Sequence, residues 1–113
     1  MKDHIIFEAL ADEVAATILT HTTERERSAD ELAELVDASE STVRRRIERL
    51  VDAGLLIERL QLDRQGDHYH IYRTAIKRVE ARLENETIDV HVEHREDGVD
   101  RFVRLWEDMR GDR

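Results

Sequence analysis

Cysteine is absent from the sequence, so the chain has neither a disulfide framework nor a thiolate metal site. Proline is absent too. Glycine is confined to Gly54, Gly66, Gly98 and Gly111, each of which reads as an element boundary. Lysine is nearly missing, with Lys2 and Lys77 set against a large majority of arginines. No apolar run approaches the roughly 18 residues of a membrane span. Met1-Lys2-Asp3-His4 leads into an amphipathic stretch rather than a signal-peptide pattern, so a cytoplasmic protein is the expectation. Positive charge is in deficit: 18 basic against 27 acidic residues give a net charge of −9. That excludes a general anion-binding surface, because an acidic bulk repels phosphate. The plain reading is a soluble acidic domain. A sharper one is a halophilic protein, adapted to a cytosol of very high salt. At 1 M salt the Debye length is about 3 Å. Distant carboxylates are then screened, and close hydrogen bonds must carry recognition.

What is present is enough for one domain. The chain has 113 residues, 40% of them apolar, and can bury a modest core. Ile6, Leu10, Val14 and Ile18 recur every four residues, predicting helix from Asp3 to about His21, with Asp12 as an internal N-cap. Thr22 to Arg27 reads as a polar loop. Ser28 and Glu31 match a capping box, and the helix after them places Leu32, Leu35 and Val36 on one face. Asp37-Ala38 is a short turn. Ser39 then caps a helix running to about Ala53, with Gly54 suited to its C′ position. Beyond Gly54 the period changes. Leu55–Leu62 and His68–Thr74 read as strands joined by the turn Asp63–Asp67. Val79, Ala81 and Leu83, then Ile88, Val90 and Val92, alternate around Asn85-Glu86 and suggest a second hairpin. Its first arm also fits a helix through Ile76, Val79 and Leu83. From Asp97 the spacing of Val99, Phe102, Val103, Trp106 and Met109 is helical again.

Two helices joined by a tight turn, the second presented outward, make the reading head of a helix-turn-helix. The second helix buries Val43, Ile47, Leu50 and Val51. Ser41, Arg45, Glu48 and Arg49 lie opposite, with Thr42, Arg44 and Arg46 on the flanks. Arginine pairs bidentately with guanine O6 and N7. Hydroxyls near a helix N-terminus contact phosphate or bases. Arg44-Arg45-Arg46 is the densest basic cluster of an acidic chain, and Arg49 extends it by a turn. The competing reading is a solvated face paired with Glu40, Glu48 and Asp52. In the following hairpin, a candidate wing, Arg64, Gln65 and His68 lie near the tip. Arg59 and Arg73 on its strands are within reach of phosphates.

Phe7 to Glu13 followed by Ile18-Leu19, with Ser28 to Ala33, resembles the opening of ArsR-type winged helix repressors. Ser39 to Leu56 resembles winged helix regulators in general, TrmB-like archaeal proteins included. The likeness spans roughly residues 5–74. The ending Arg101 to Glu107 is similar to small regulators of salt-loving archaea. The resemblance implies a homodimer and base contacts from Ser41, Thr42, Arg44 and Arg45, with Arg46 at the margin. The Cys-x-Cys-type motif of metal-sensing members has no counterpart in Leu32 to Ala38, so a thiolate sensor is unsupported.

Other chemistry is thin. His68-x-His70 and His91-x-x-His94 with nearby carboxylates are the one pattern that suggests zinc or nickel. In a strand His91 and His94 point to opposite faces, so surface histidines are the reading and no metal or cofactor is expected. No Gly-rich phosphate loop, Gly-x-Ser-x-Gly or His-Glu-x-x-His occurs, and no enzyme is expected. The expectation is therefore an α+β winged helix-turn-helix with an extra β-hairpin and a C-terminal dimerisation helix. Residues 1–75 form the DNA-binding core; residues 76–113 belong to the same domain and supply the dimer interface through Val99, Phe102, Val103, Trp106 and Met109. DNA contacts fall to Ser39, Ser41, Thr42, Arg44, Arg45, Arg46, Arg49, Arg64, Gln65 and His68. The expected role is a nucleoid-associated transcription regulator that binds pseudo-palindromic double-stranded DNA at promoters, its effector unspecified. The alternative is a winged-helix protein-interaction module without direct DNA binding.

Overall fold

The computed structural model describes residues 2–95, with side chains from Ile5 onward. The apolar stripe Val99, Phe102, Val103, Trp106 and Met109 lies outside the described residues. The helical N-terminal pattern becomes two helices, α1 (Lys2–Ala11) and α2 (Glu13–His21). Asp12 breaks them apart by adopting extended backbone and accepting the Ala15 amide, as its N-cap reading requires. A two-residue strand β1 (Arg27–Ser28) precedes α3 (Ala29–Leu35), and α4 (Glu40–Asp52) follows a short turn. Both halves of the Ser28–Glu31 capping box are made, and Ser39 accepts the Thr42 amide at the start of α4.

Helix α4 ends in a Schellman arrangement. The Gly54 amide donates to Val51 O (3.0 Å) and the Leu55 amide to Leu50 O (2.9 Å), with Gly54 at φ +78°. The chain then turns directly into β2 (Leu56–Leu62), which pairs antiparallel with β3 (His68–Thr74). Strand β1 adds to the free edge of β3, giving the order β1-β3-β2. Arg27, expected in a loop, is therefore part of the sheet: its neighbour Ser28 both pairs with Ile71 and caps α3. A separate two-stranded sheet follows, β4 (Ile76–Glu84) with β5 (Thr87–His94). The ambiguous first arm is a strand. Asn85 (φ 54°) and Glu86 (φ 62°) make the tight turn with positive φ at both central positions, which suits the right-handed twist of a hairpin. Among the described residues the result is a mixed α+β fold of four helices and two small sheets, consistent with a winged helix-turn-helix.

The core lies where the helices meet the base of the first sheet. Ile6, Ile18, Leu19, Leu32, Val36, Val43, Ile47, Leu50, Leu55, Leu56 and Tyr72 are buried together. Leu35, expected beside Leu32 and Val36, is 44% exposed, because the helix ends there and turns that position outward. A polar clip joins α2 to β3. The buried Thr22 hydroxyl sits 2.9 Å from Ile18 O and 2.7 Å from the Thr74 hydroxyl, and Thr74 Oγ1 also donates to Leu19 O. The Thr74 amide donates to Thr22 O at 3.2 Å. These hydroxyls satisfy helix-end carbonyls that water cannot reach. Thr22→Val keeps the shape and removes the hydroxyl. It is expected to cost about 1–2 kcal/mol in urea unfolding, whereas Thr23→Val, whose hydroxyl bond is solvent-exposed, should stay within about 0.5 kcal/mol.

Candidate nucleic-acid interface

Val43, Ile47 and Leu50 are each at most 3% exposed and repeat at helical spacing, so they hold α4 by one side against α2 and α3. The opposite side carries Ser41, Arg45, Glu48, Arg49 and Asp52, all exposed. At its start the Ser39 hydroxyl accepts the Thr42 amide and donates to Thr42 Oγ1 (2.8 Å), with Ser41 Oγ 3.4 Å away. Ser39 is thus committed as a cap. The half-buried Thr42 keeps its own hydroxyl proton, and Ser41 projects from the first turn.

The four arginines of α4 have different surroundings. Arg45 is exposed and makes no ion pair or side-chain hydrogen bond among the described residues. Arg44 reaches Asp30 at the start of α3 (2.9 Å) and Glu40 (3.4 Å), and Arg49 reaches Glu8 of α1 at 3.7 Å. All five of these side chains are more than half exposed. Such surface pairs contribute about 0–1 kcal/mol, less than the roughly 1–3 kcal/mol of base discrimination from a bidentate contact. Arg44 and Arg49 can therefore exchange a carboxylate for DNA at small cost. Arg46 is different. It is half-buried, and its Nε donates to the Asp12 carboxylate at 2.5 Å, away from the outward face. The same carboxylate caps α2, so Arg46 ties that helix start to α4.

The wing candidate is the β2–β3 hairpin. Asp63 organises its tip: one carboxylate oxygen accepts the Gln65 and Asp67 amides (2.9 and 2.8 Å), and Gly66 turns at φ +89°. Arg64, Gln65 and His68 are exposed there, and Arg64 forms no ion pair among the described residues. They stand at the far end of the hairpin, on a different element from the α4 residues. Two strand arginines offered for phosphates are occupied instead. Arg59 grips Glu26 with two bonds of 2.7 Å, and half-buried Arg73 donates to Thr23 O. Sequence patterning missed the acids that partner Arg59, Arg44 and Tyr72, since Glu26, Asp30 and Glu58 lie far from them along the chain. The acid of the capping box is Glu31; its neighbour Asp30 is the one that reaches α4, through Arg44. Tyr72 donates to Glu58 at 3.1 Å; burial first, and then that carboxylate, push its pKa up to about 12, so it stays a donor. His68 and His70 flank Leu62 and Leu60 across the ladder, and no cluster of three metal-ligating side chains occurs among the described residues.

A helix pair with an outward second helix and a three-stranded sheet that includes a hairpin is consistent with a helix-turn-helix of the winged plan. Residues 10–59 match the family model of the helix-turn-helix domain, a span from the end of α1 through α4 into β2. The match supports a DNA-binding helix-turn-helix regulator, with DNA as partner. No curated protein matches the chain. No helix among the described residues is long and apolar enough to cross a membrane.

The Asp12–Arg46 pair has a pH signature. The Arg46 hydrogen bond holds the Asp12 carboxyl below its ordinary 3.8, against the opposing effect of burial, with the Ala15 amide assisting. A depressed folded pKa contributes stability that is complete above the ordinary carboxylate value and is lost as pH falls through the folded one. Arg46→Met should therefore flatten the acid limb of stability below about pH 4, read as urea midpoints against pH. Glu26, lowered by Arg59, titrates in the same window in both proteins and cancels in the comparison. Arg44→Met should leave the limb unchanged.

Proposed function

We propose that this protein is a sequence-specific, double-stranded DNA-binding transcription regulator that lays α4 in the major groove at promoters. The observation that carries the reading is Arg45: an exposed guanidinium without a partner among the described residues, at the centre of a helix face whose other side is buried. A rigid helix bearing an uncommitted fork donor is what guanine recognition needs. Ser41 and Thr42 at the N-terminal turn suit phosphate or base contacts, and Arg44 and Arg49 follow by releasing their surface pairs. Glu48, on the same face, is of the type that accepts from a cytosine amino group. Arg64, Gln65 and His68 at the wing tip are in position to reach the neighbouring groove or backbone. Arg46 serves this reading from behind, by positioning α4.

The regulator acts as a homodimer on a pseudo-palindromic site. Two recognition helices then meet successive major grooves about 34 Å apart. The dimer contact is assigned to the region beyond residue 75, with the stripe Val99, Phe102, Val103, Trp106 and Met109. The net charge of −9 and the arginine-for-lysine bias support the halophilic reading, with a cytoplasmic, nucleoid-associated protein.

The test is occupancy mapping to find the site, followed by fluorescence anisotropy on that duplex in molar KCl. Arg45→Ala should cost about 1–3 kcal/mol of specific binding and relax base choice at one position of each half-site. Arg64→Ala should weaken binding across sequences without changing base choice. Unaltered affinity and preference after Arg45→Ala would refute the reading face. An absence of DNA binding at native salt would favour the protein-interaction module.

A further inference from the structure

A cavity of about 550 Å³ opens between α1, the start of α2 and the last turns of α4. The side chains that meet there are short: Ala9 of α1, Ala15 of α2 and Ala53 at the end of α4 leave space that larger residues would fill. Leu50 and Leu55 complete an apolar floor, in which all but Ala53 are buried. The rim is charged. Glu8, Asp12 and Asp52 set three carboxylates against the two guanidiniums of Arg46 and Arg49. A volume in this range, an apolar floor and a few polar groups at the edge are what small-molecule sites offer.

We infer that this cavity binds a small organic cation, an ammonium group carried on an apolar body such as a benzyl ring. The rim chooses the sign. Arg46 and Asp12 are tied to each other by their hydrogen bond of 2.5 Å. Arg49 stands 3.7 Å from Glu8, too far for a hydrogen bond, so that pair is loose. Asp52 is exposed in the last turn of α4 and makes no ion pair among the described residues. The helix ends there, which brings its negative pole to the same wall. The rim thus carries one surplus negative charge. A monocation balances that charge, whereas an anion would double it. The floor chooses the rest of the ligand. In concentrated salt a bare metal ion gains little from exposed carboxylates, which are screened. Burial of an apolar body is not lost in that way. Arg49 also belongs to the reading face of α4. On the proposed function, on which this consequence alone rests, an ammonium that takes Glu8 frees Arg49 and tightens DNA binding.

The test titrates benzyltrimethylammonium chloride into the isotope-labelled full chain in molar KCl, read by amide NMR shifts. No DNA is present, so the site and the DNA reading fail separately. Saturable shifts are expected, centred on Ala9, Leu50, Ala53 and Leu55. Phenylacetate, an anion of similar shape, should bind several-fold more weakly. Asp52→Asn should weaken the cation about threefold, the size of an exposed ion pair, and leave phenylacetate no weaker. Asp89→Asn, an exposed carboxylate on β5, should change neither. Ala53→Leu, which fills the cavity from a half-buried position, should abolish saturable binding with the rest of the amide spectrum preserved. Should that variant unfold the chain, Asp52→Asn decides alone. Shifts that fail to saturate, or that spread over the acidic surface, would mean counterion attraction only and overturn the site. Equal binding of phenylacetate would overturn its sign. Cation binding that survives both Asp52→Asn and Ala53→Leu unchanged would overturn its location.

Discussion

Everything this protein presents to a partner depends on how α4 is seated. Val43, Ile47 and Leu50 fill one side of the helix, and full burial of such side chains stabilises by roughly 1.5–3 kcal/mol each. No exposed ion pair on the same helix approaches that. Burial therefore sets which way the helix faces, and the charged side chains follow. The termini reinforce the setting: Ser39 holds the first turn, and the Schellman bonds around Gly54 deliver the chain into β2. The wing leaves the core from the same point at which α4 ends, so helix and hairpin are placed by one short stretch of backbone.

That seating also divides a cluster that looks uniform in sequence. Arg44, Arg45 and Arg46 are consecutive, and each step around a helix turns by about 100°. One guanidinium is left facing solvent, one lies beside α3 and its acids, and one is carried to the α2 N-cap. Arg46 satisfies a carboxylate that is already occupied with the Ala15 amide, so a residue of the basic cluster has become part of the framework. Three neighbouring arginines thus perform three physical tasks, and composition alone would have assigned them one.

Most of the helical half of the fold was legible in the sequence because its signals are local. Asp12, Ser28 with Glu31, Ser39 and Gly54 are cap residues whose partners lie within five positions, and each acts as its type predicts. The first hairpin and the second arm of the second were legible for the same reason, since alternation and turn residues are short-range. What escaped depends on partners distant in sequence. β1 is two residues long and exists because β3 offers it an edge. The first arm of the second hairpin reads equally as helix until β5 pairs with it. The commitments of Arg46 to Asp12 and Arg59 to Glu26 span 34 and 33 residues, and no periodicity encodes them. The outward face of α4 was readable as a face; which of its arginines were uncommitted was not.

An acidic protein that binds a polyanion must solve the problem locally. With a net charge of −9, long-range attraction is of the wrong sign, and salt acts on it in two opposing ways. Raising salt weakens each arginine–phosphate contact through counterion competition, as in any DNA binder. It also removes the repulsion between DNA and the carboxylates around α4, including Glu8, Asp30 and Glu40, which lie close to the reading face rather than across it. Those carboxylates have a further effect. They hold Arg44 and Arg49 in weak pairs, and on the proposed reading a phosphate displaces them and releases a carboxylate into solvent. In concentrated salt that release costs little, because the freed carboxylate is screened within a few ångströms. In dilute salt the same carboxylate faces the phosphate unscreened. On the proposed reading, the arrangement would be a poor general DNA-binding surface at low ionic strength, and a selective one where only hydrogen bonds made at contact distance survive.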